Sequence, residues 1–376
     1  MKILKINRYD WRTNLGGDVV QMISVGRSLE SMGHEVKYVA GVDEIKEQLP
    51  WCDIAHVYNL QRSSETVQQL RLCAKYSKKA VLSPIIADFS EINNLARTGL
   101  KRFIEKSFKS RSNIIKDVAR VARGVQEFST LWASIRGSHF DNIVAASALS
   151  AALIPNSSAE ADYLKDRFPI DPSNISVIPN GVNLALKDIP LKAEIAREAG
   201  VPWEKFALCI ARIDERKNIL NLVKAVKGTE VNLLIVGKPA PLHQDYFHEV
   251  KKEILGLKNV IHLGRGFSQE ELSSLYRLSH MHVLPSWLET PGLVSLEAGL
   301  FGNNLVVGDC PPVREYFDGI AEFCSPGDIS SIREAIVRAY DAPRNNLFAD
   351  AHIESNYSWD VIAGRYFKLY EKVLDA

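Results

Sequence analysis

The chain has 376 residues, 46% hydrophobic and 24% charged, with a formal net charge of +1. That length supports a large core and points to two domains. The balanced charge removes the global basic bias of a nucleic-acid binder, and no apolar run approaches the ~18 residues of a membrane span.

The start, "MKILKIN", runs straight into a strand-like stretch and does not read as a signal peptide. Strand-like apolar runs follow at 35–41, 53–59, 80–85, 151–157 and 175–180, then at 206–212, 232–238, 260–266, 281–287 and 305–309. Helical periods lie between them, at 17–33, 219–227, 269–279 and 330–340 among others. Strands this apolar are covered on both faces, as in a parallel sheet with helices on either side. Eleven are many for one doubly wound sheet, so two sheets are expected, with a break near 180–192. The five cysteines (Cys52, Cys73, Cys209, Cys310, Cys324) form no CxxC pair. That usage suits a reducing cytosol better than a disulfide framework.

Residues 97–123 differ from the rest. They carry nine Lys/Arg against two acids, Glu105 and Asp117, on a helical apolar period. Such a stretch either lies on an anionic membrane surface or is a helical insertion with a solvated basic face.

Three places concentrate chemistry. Gly16 and Gly17 follow the first strand and precede a long helix, where paired glycines let a ligand approach the backbone. Arg212 and Lys217 flank the turn between a strand and a helix, a placement that suits a diphosphate. Asp214, Glu215 and Arg216 between them read as solvated turn residues. In "LETPGLVSLEAG" (288–299), Thr290 is a candidate N-cap and Pro291 a first helical residue. The backbone N–H groups of Gly292, Leu293 and Val294 would then form an anion site, with Glu289 at its mouth. Glu297 within the helix suits the diol of a ribose. His280 and His282 share a strand face, but no third metal ligand is near in sequence.

These residues, with "GHEV" (33–36), "IPNGVN" (178–183), "LLIVGK" (233–238) and "VIHLG" (260–264), make the chain resemble the retaining nucleotide-sugar glycosyltransferases of family GT4, of the GT-B fold. "PSWLETPGLVSLEAG" (285–299) resembles that family's E-x7-E motif.

The resemblance implies an α/β chain of two Rossmann-like, doubly wound parallel-sheet domains facing a cleft. Residues 1–184 with a closing helix at 357–376 would bind the acceptor, and 185–356 the nucleotide sugar. Glu289, Arg212 and Lys217 would be catalytic. Gly16, Gly17, Gly264, Arg265, Gly292, Leu293, Val294 and Glu297 would complete the donor site with Arg212 and Lys217. His56 and Asp88 are the acceptor-side candidates, since the histidine many relatives carry after the fourth strand is absent here. No cofactor or metal is expected. The partners implied are a nucleotide-sugar donor, a saccharide or lipid-linked acceptor, an anionic membrane surface through 97–123, and no nucleic acid. The expected setting is the cytoplasm, peripheral at the inner face of the cell membrane, in bacterial polysaccharide or glycolipid synthesis. The alternatives are a GT-B nucleotide-sugar 2-epimerase and a non-catalytic paralogue that binds a partner.

Overall fold

The computed structural model describes residues 1–86, 112–241, 243–344 and 347–376. Its described residues fall into two compact units, one of 1–86, 112–181 and Trp359–Ala376, the other of Val182–Ser358.

The first unit is built on five parallel strands: β1 (Lys2–Ile6), β2 (Glu35–Val39), β3 (Ile54–Tyr58), β4 (Lys79–Ser83) and β5 (Ala152–Leu153), in the order β2-β1-β3-β4-β5. Leu4, Ile6, Ala55, Val57, Ala80 and Leu82 alternate onto one face and enter a single core with Val67, Leu70 and Ile143. The C-terminal helix Trp359–Asp375 packs within this unit beside the helix Gly17–Ser31, where Gln21 Nε2 donates to Tyr366 Oη at 2.9 Å. The order reverses between β1 and β3, so the loops after those strands flank a topological switch point.

The second unit holds six parallel strands: β6 (Ala207–Ile210), β7 (Leu233–Val236), β8 (Val260–Leu263), β9 (Met281–Leu284), β10 (Asn304–Gly308) and β11 (Ala321–Cys324). Their order, β11-β10-β9-β6-β7-β8, is the doubly wound dinucleotide-fold order. Ala207, Cys209, Leu233, Ile235 and Val306 enter one core, while Leu208, Leu234, Val236, Leu305 and Val307 enter the other. Both faces are therefore dry, which is why these strands read as unbroken apolar runs. The switch point lies between β6 and β9.

Two strand expectations are corrected. Residues 175–180 form no strand; Ile175 makes one isolated bridge to Leu153, and β5 stops at Leu153. Pro155 and Pro179 have no N–H to extend a ladder there. Conversely, Ala321–Cys324 is a strand that the apolar pattern did not single out. Among the described residues, no helix is long and apolar enough to cross a membrane.

Candidate functional site

The loops at the carboxyl ends of β6 and β9 carry most of the expected site of the second unit. After β6, Asp214 caps a short turn, its carboxylate accepting from the Lys217 N–H at 3.0 Å. That turn delivers the Lys217 side chain inward. After β9, Glu289 is nearly buried, and its Oε1 receives Lys217 Nζ at 2.5 Å and Arg216 Nη1 at 3.1 Å. Arg216 Nη1 also donates to the Leu288 carbonyl at 2.9 Å. Asn218 ties the turn down, its Nδ2 donating to the carbonyls of Pro285 (3.0 Å) and Pro326 (2.7 Å).

Burial alone would raise the Glu289 carboxyl. The charges of Lys217 and Arg216 overcome that and hold it at about 2. Burial lowers the Lys217 ammonium, and Glu289 opposes the shift. Glu289 is thus anionic at neutral pH, locked between two cations.

The expectation that Asp214 and Arg216 are solvated turn residues is corrected. Asp214 is buried and Arg216 half-buried, and both organise the site. Glu215 is also engaged, with the His243 ring. A sequence signal existed for Asp214, an Asp three residues before the backbone N–H it caps. None existed for Arg216, since adjacent positions in a turn carry no period.

The helix reading at Thr290 is corrected too. The helix spans Leu293–Leu300 and its N-cap is Gly292, at φ +97°, in a region that favours glycine. Pro291 lies outside the helix, joined to Thr290 by a cis peptide bond. Leu293 and Val294 supply the first-turn N–H groups, which have no acceptor within a helix. Glu297, further along this helix and partly buried, accepts from Tyr276 Oη at 2.8 Å. Burial raises its carboxyl to about 7, with the Tyr276 bond opposing.

Arg212, just past β6, is exposed and makes no ion pair among the described residues. Gly264 and Arg265 are exposed beyond β8; Arg265 pairs with Glu271 at 2.8 Å and lies over the Phe267 ring at 3.6 Å. His282 is buried, its Nε2 within 3.1 Å of Ser295 Oγ, and burial first, then Lys217, lowers its ring to about 3. His280 Nε2 instead faces the Ala342 carbonyl at 2.9 Å.

Gly16 and Gly17 belong to the first unit, at the start of the helix Gly17–Ser31. A Cβ on Gly16 would come within 2.5 Å of Asp18 Oδ1. Asp18 is fixed there by Arg8 Nε at 2.7 Å, and Arg8 Nη1 holds Asp10 at 2.8 Å. A buried ion-pair network therefore sets the glycine turn, and Gly17 stands exposed with open space around it.

The placement of His56 at an acceptor surface is corrected. His56 is fully buried under the C-terminal helix, with Nδ1 2.6 Å from Tyr370 Oη and Nε2 2.9 Å from Ser83 Oγ. Neither ring nitrogen is left for a ligand. Lys5 Nζ shares this interior, donating to Tyr58 Oη at 2.9 Å, and burial lowers it to about 7. Asp88 lies outside the described residues, as does most of the basic segment 97–123.

Residues 191–351 match the family model described as "Glycosyl transferases group 1". A D-inositol 3-phosphate glycosyltransferase of Stackebrandtia nassauensis is 31% identical over 170 residues, 42% of this chain and 38% of that protein. The chain thus spans well under half the length of this curated relative. An MMP alpha-(1->4)-mannosyltransferase of Mycolicibacterium hassiacum is 23% identical across 97% of both chains. A solved glycosyltransferase from Rickettsia africae shares the fold at a TM-score of 0.70 and 15% identity, over 99% of this chain and 98% of that one.

Proposed function

We propose that this chain, a member of the group 1 glycosyltransferases with the GT-B fold, moves a sugar from a nucleotide-diphosphate donor to an acceptor hydroxyl with retention at the anomeric carbon. The observation that carries the reading is the constellation at the switch point of the second unit: Lys217 and Arg216 on Glu289, Arg212 unpaired beside them in sequence, and the Leu293–Val294 amides.

Breaking the anomeric bond puts negative charge on the diphosphate and positive charge on the sugar. Arg212, Lys217 and the helix N-terminus meet the first. Glu289, kept anionic by its cations, accepts hydrogen bonds from hydroxyls of the transferred sugar near the reacting carbon. Glu297 takes the ribose diol. The leaving phosphate, on the acceptor's side of the sugar, can receive the acceptor proton, so no dedicated base is required. Because protein cations carry the leaving-group charge, transfer is expected to persist in a chelator. The acceptor is proposed to be a saccharide or lipid-linked saccharide of bacterial surface polysaccharide or glycolipid synthesis. The enzyme would work in the cytoplasm at the membrane face, with 97–123 on anionic lipid.

The test is a thermal-shift screen of UDP-, GDP- and ADP-sugars, since a binder at 100 times its Kd adds ~2.7 kcal/mol. NMR of the product's anomeric proton follows. Acceptor-dependent release of nucleoside diphosphate with an unchanged anomeric configuration supports the reading. Conversion of donor alone into an epimeric nucleotide sugar overturns it in favour of an epimerase.

A further inference from the structure

Large apolar side chains stand in solvent in one short stretch of the first unit. Phe128 is 71% exposed, Trp132 58% and Ile135 61%. The three follow helical spacing across the turn Phe128–Thr130 and the helix Leu131–Arg136. The neighbouring helix Ser112–Ala122 repeats the inversion. Its Val118 is 49% exposed, while Asp117 is buried, accepting from Ser64 Oγ and Arg120 Nη1 at 2.7 Å and from Ser134. A solvated helix would turn its carboxylate outward and its valine inward.

An unpaired arginine lies against this apolar face, and a second is close in sequence. Arg123 and Arg136 are exposed and make no ion pair among the described residues, and the Arg136 guanidinium lies 5.6 Å from the Trp132 ring centre. The acids near this face are engaged by backbone: Glu127 accepts from the Val42 N–H at 3.0 Å, and Asp141, which lines a cavity with Ile135 and Arg136, accepts from the Ser138 N–H at 2.9 Å. An aromatic and aliphatic face with an unpaired arginine against its tryptophan, in a stretch rich in Lys and Arg, is complementary to the headgroup–acyl boundary of an anionic bilayer.

We propose that Phe128, Trp132 and Ile135 insert into the surface of an anionic membrane, with Arg123 and Arg136 on its headgroups. The proposal deepens the reading of the enzyme as one that meets its acceptor at a lipid surface. It places the inserting side chains beyond the basic run that composition alone indicates.

The experiment uses the full chain and vesicles of phosphatidylcholine with or without about a third phosphatidylglycerol. The parent is expected to cosediment with the anionic vesicles, less so as salt rises. Phe128→Ser/Trp132→Ser/Ile135→Ser should lose at least about tenfold in partitioning, because inserted apolar area supplies that part of the binding. UDP, GDP and ADP binding, followed separately by thermal shift, reports on the donor site and on folding in both proteins. Binding by parent and variant alike overturns the proposal and leaves the basic segment alone as the contact. No vesicle binding by a parent that is dimeric in light scattering, with a monomeric variant, overturns it in favour of contact between two copies. Loss of nucleotide binding by the parent would fault the donor-site reading instead, whatever the vesicles show. Trp132→Phe should also remove a blue shift of emission that appears on adding anionic vesicles; an unchanged shift would place Trp132 outside the lipid.

Discussion

Replacing Glu289 by Gln keeps the shape of the side chain and removes its charge. In the parent, burial raises the carboxyl and the paired cations draw it down from an ordinary 4.5 to about 2. At roughly 1.4 kcal/mol per pH unit, that shift amounts to about 3 kcal/mol favouring the folded unit at pH 7. The folded value lies below the unfolded one. The contribution is therefore complete above pH 4.5 and is lost as pH falls from there through 2. An independent argument gives a similar size, since stranding one partner of a buried pair costs about 3–5 kcal/mol. Lys217, with 12% of its side chain exposed, would be the stranded partner. A chain of two units need not unfold in one step. The assay is therefore native-state hydrogen exchange on β6 and β9, which reads the opening free energy of the second unit. Glu289→Gln should lower it by about 3 kcal/mol at pH 7. Adding Lys217→Met should restore part of the loss, because the unpaired ammonium is gone. A change under about 1 kcal/mol at pH 7 in the single variant would refute the claim that this pair is a buried, coupled unit.

Glu297 titrates near 7 in the folded chain, so its charge should grow between pH 6 and 8. If the carboxylate grips the ribose, nucleoside diphosphate affinity should rise over that range by calorimetry, and Glu297→Gln should bind more weakly with a flat profile. Arg212→Ala should depress kcat more than it raises the donor KM, because the charge it meets grows in the transition state; steady-state kinetics with and without chelator reads this out. Asn218→Ala removes two buried hydrogen bonds to carbonyls and should cost about 2–4 kcal/mol in the same exchange experiment, with weaker nucleotide binding as the Lys217 turn loosens.

What the sequence could convey depends on how far away each determinant sits. β6, β7 and β9 were visible because helices cover both their faces, which selects apolar residues at every position. β11 was not, being four residues long at a sheet edge with Glu322 within it. Glu289 and Glu297 stood out because their spacing places one at the mouth of a helix and one inside it. Their partners did not. Tyr276 reaches Glu297 from another helix, 21 positions earlier, and nothing local marks it. His56 reads locally as an acceptor-side candidate, but the C-terminal helix brings Tyr370 against it from 314 positions away. Thr290 and Pro291 matched the residue preferences of a helix start, yet the positive φ of Gly292 moves that start to Leu293. Local preference located the motif; long-range packing decided which groups it leaves free.

The charge balance around Glu289 bears on why such a pair is kept at all. A buried ion pair is weak stabilisation compared with an apolar pair of the same volume, and here one carboxylate faces two cations. Arg212 adds a third cation in the same loop, exposed and unpaired. A structural pair would be expected to close on itself in neutrality. Asp214, Glu215 and Glu289 equal the three cations in number, yet Arg212 is left exposed and without an ion pair among the described residues, next to a helix whose first amides have no helical acceptor, at the strand ends where doubly wound sheets take their ligands. The proposed diphosphate would pair with Arg212 and those amides. Glu289 would then serve two ends at once: it holds Lys217 against the cost of burial, and, in the proposed reaction, it would remain charged for a hydroxyl of the transferred sugar.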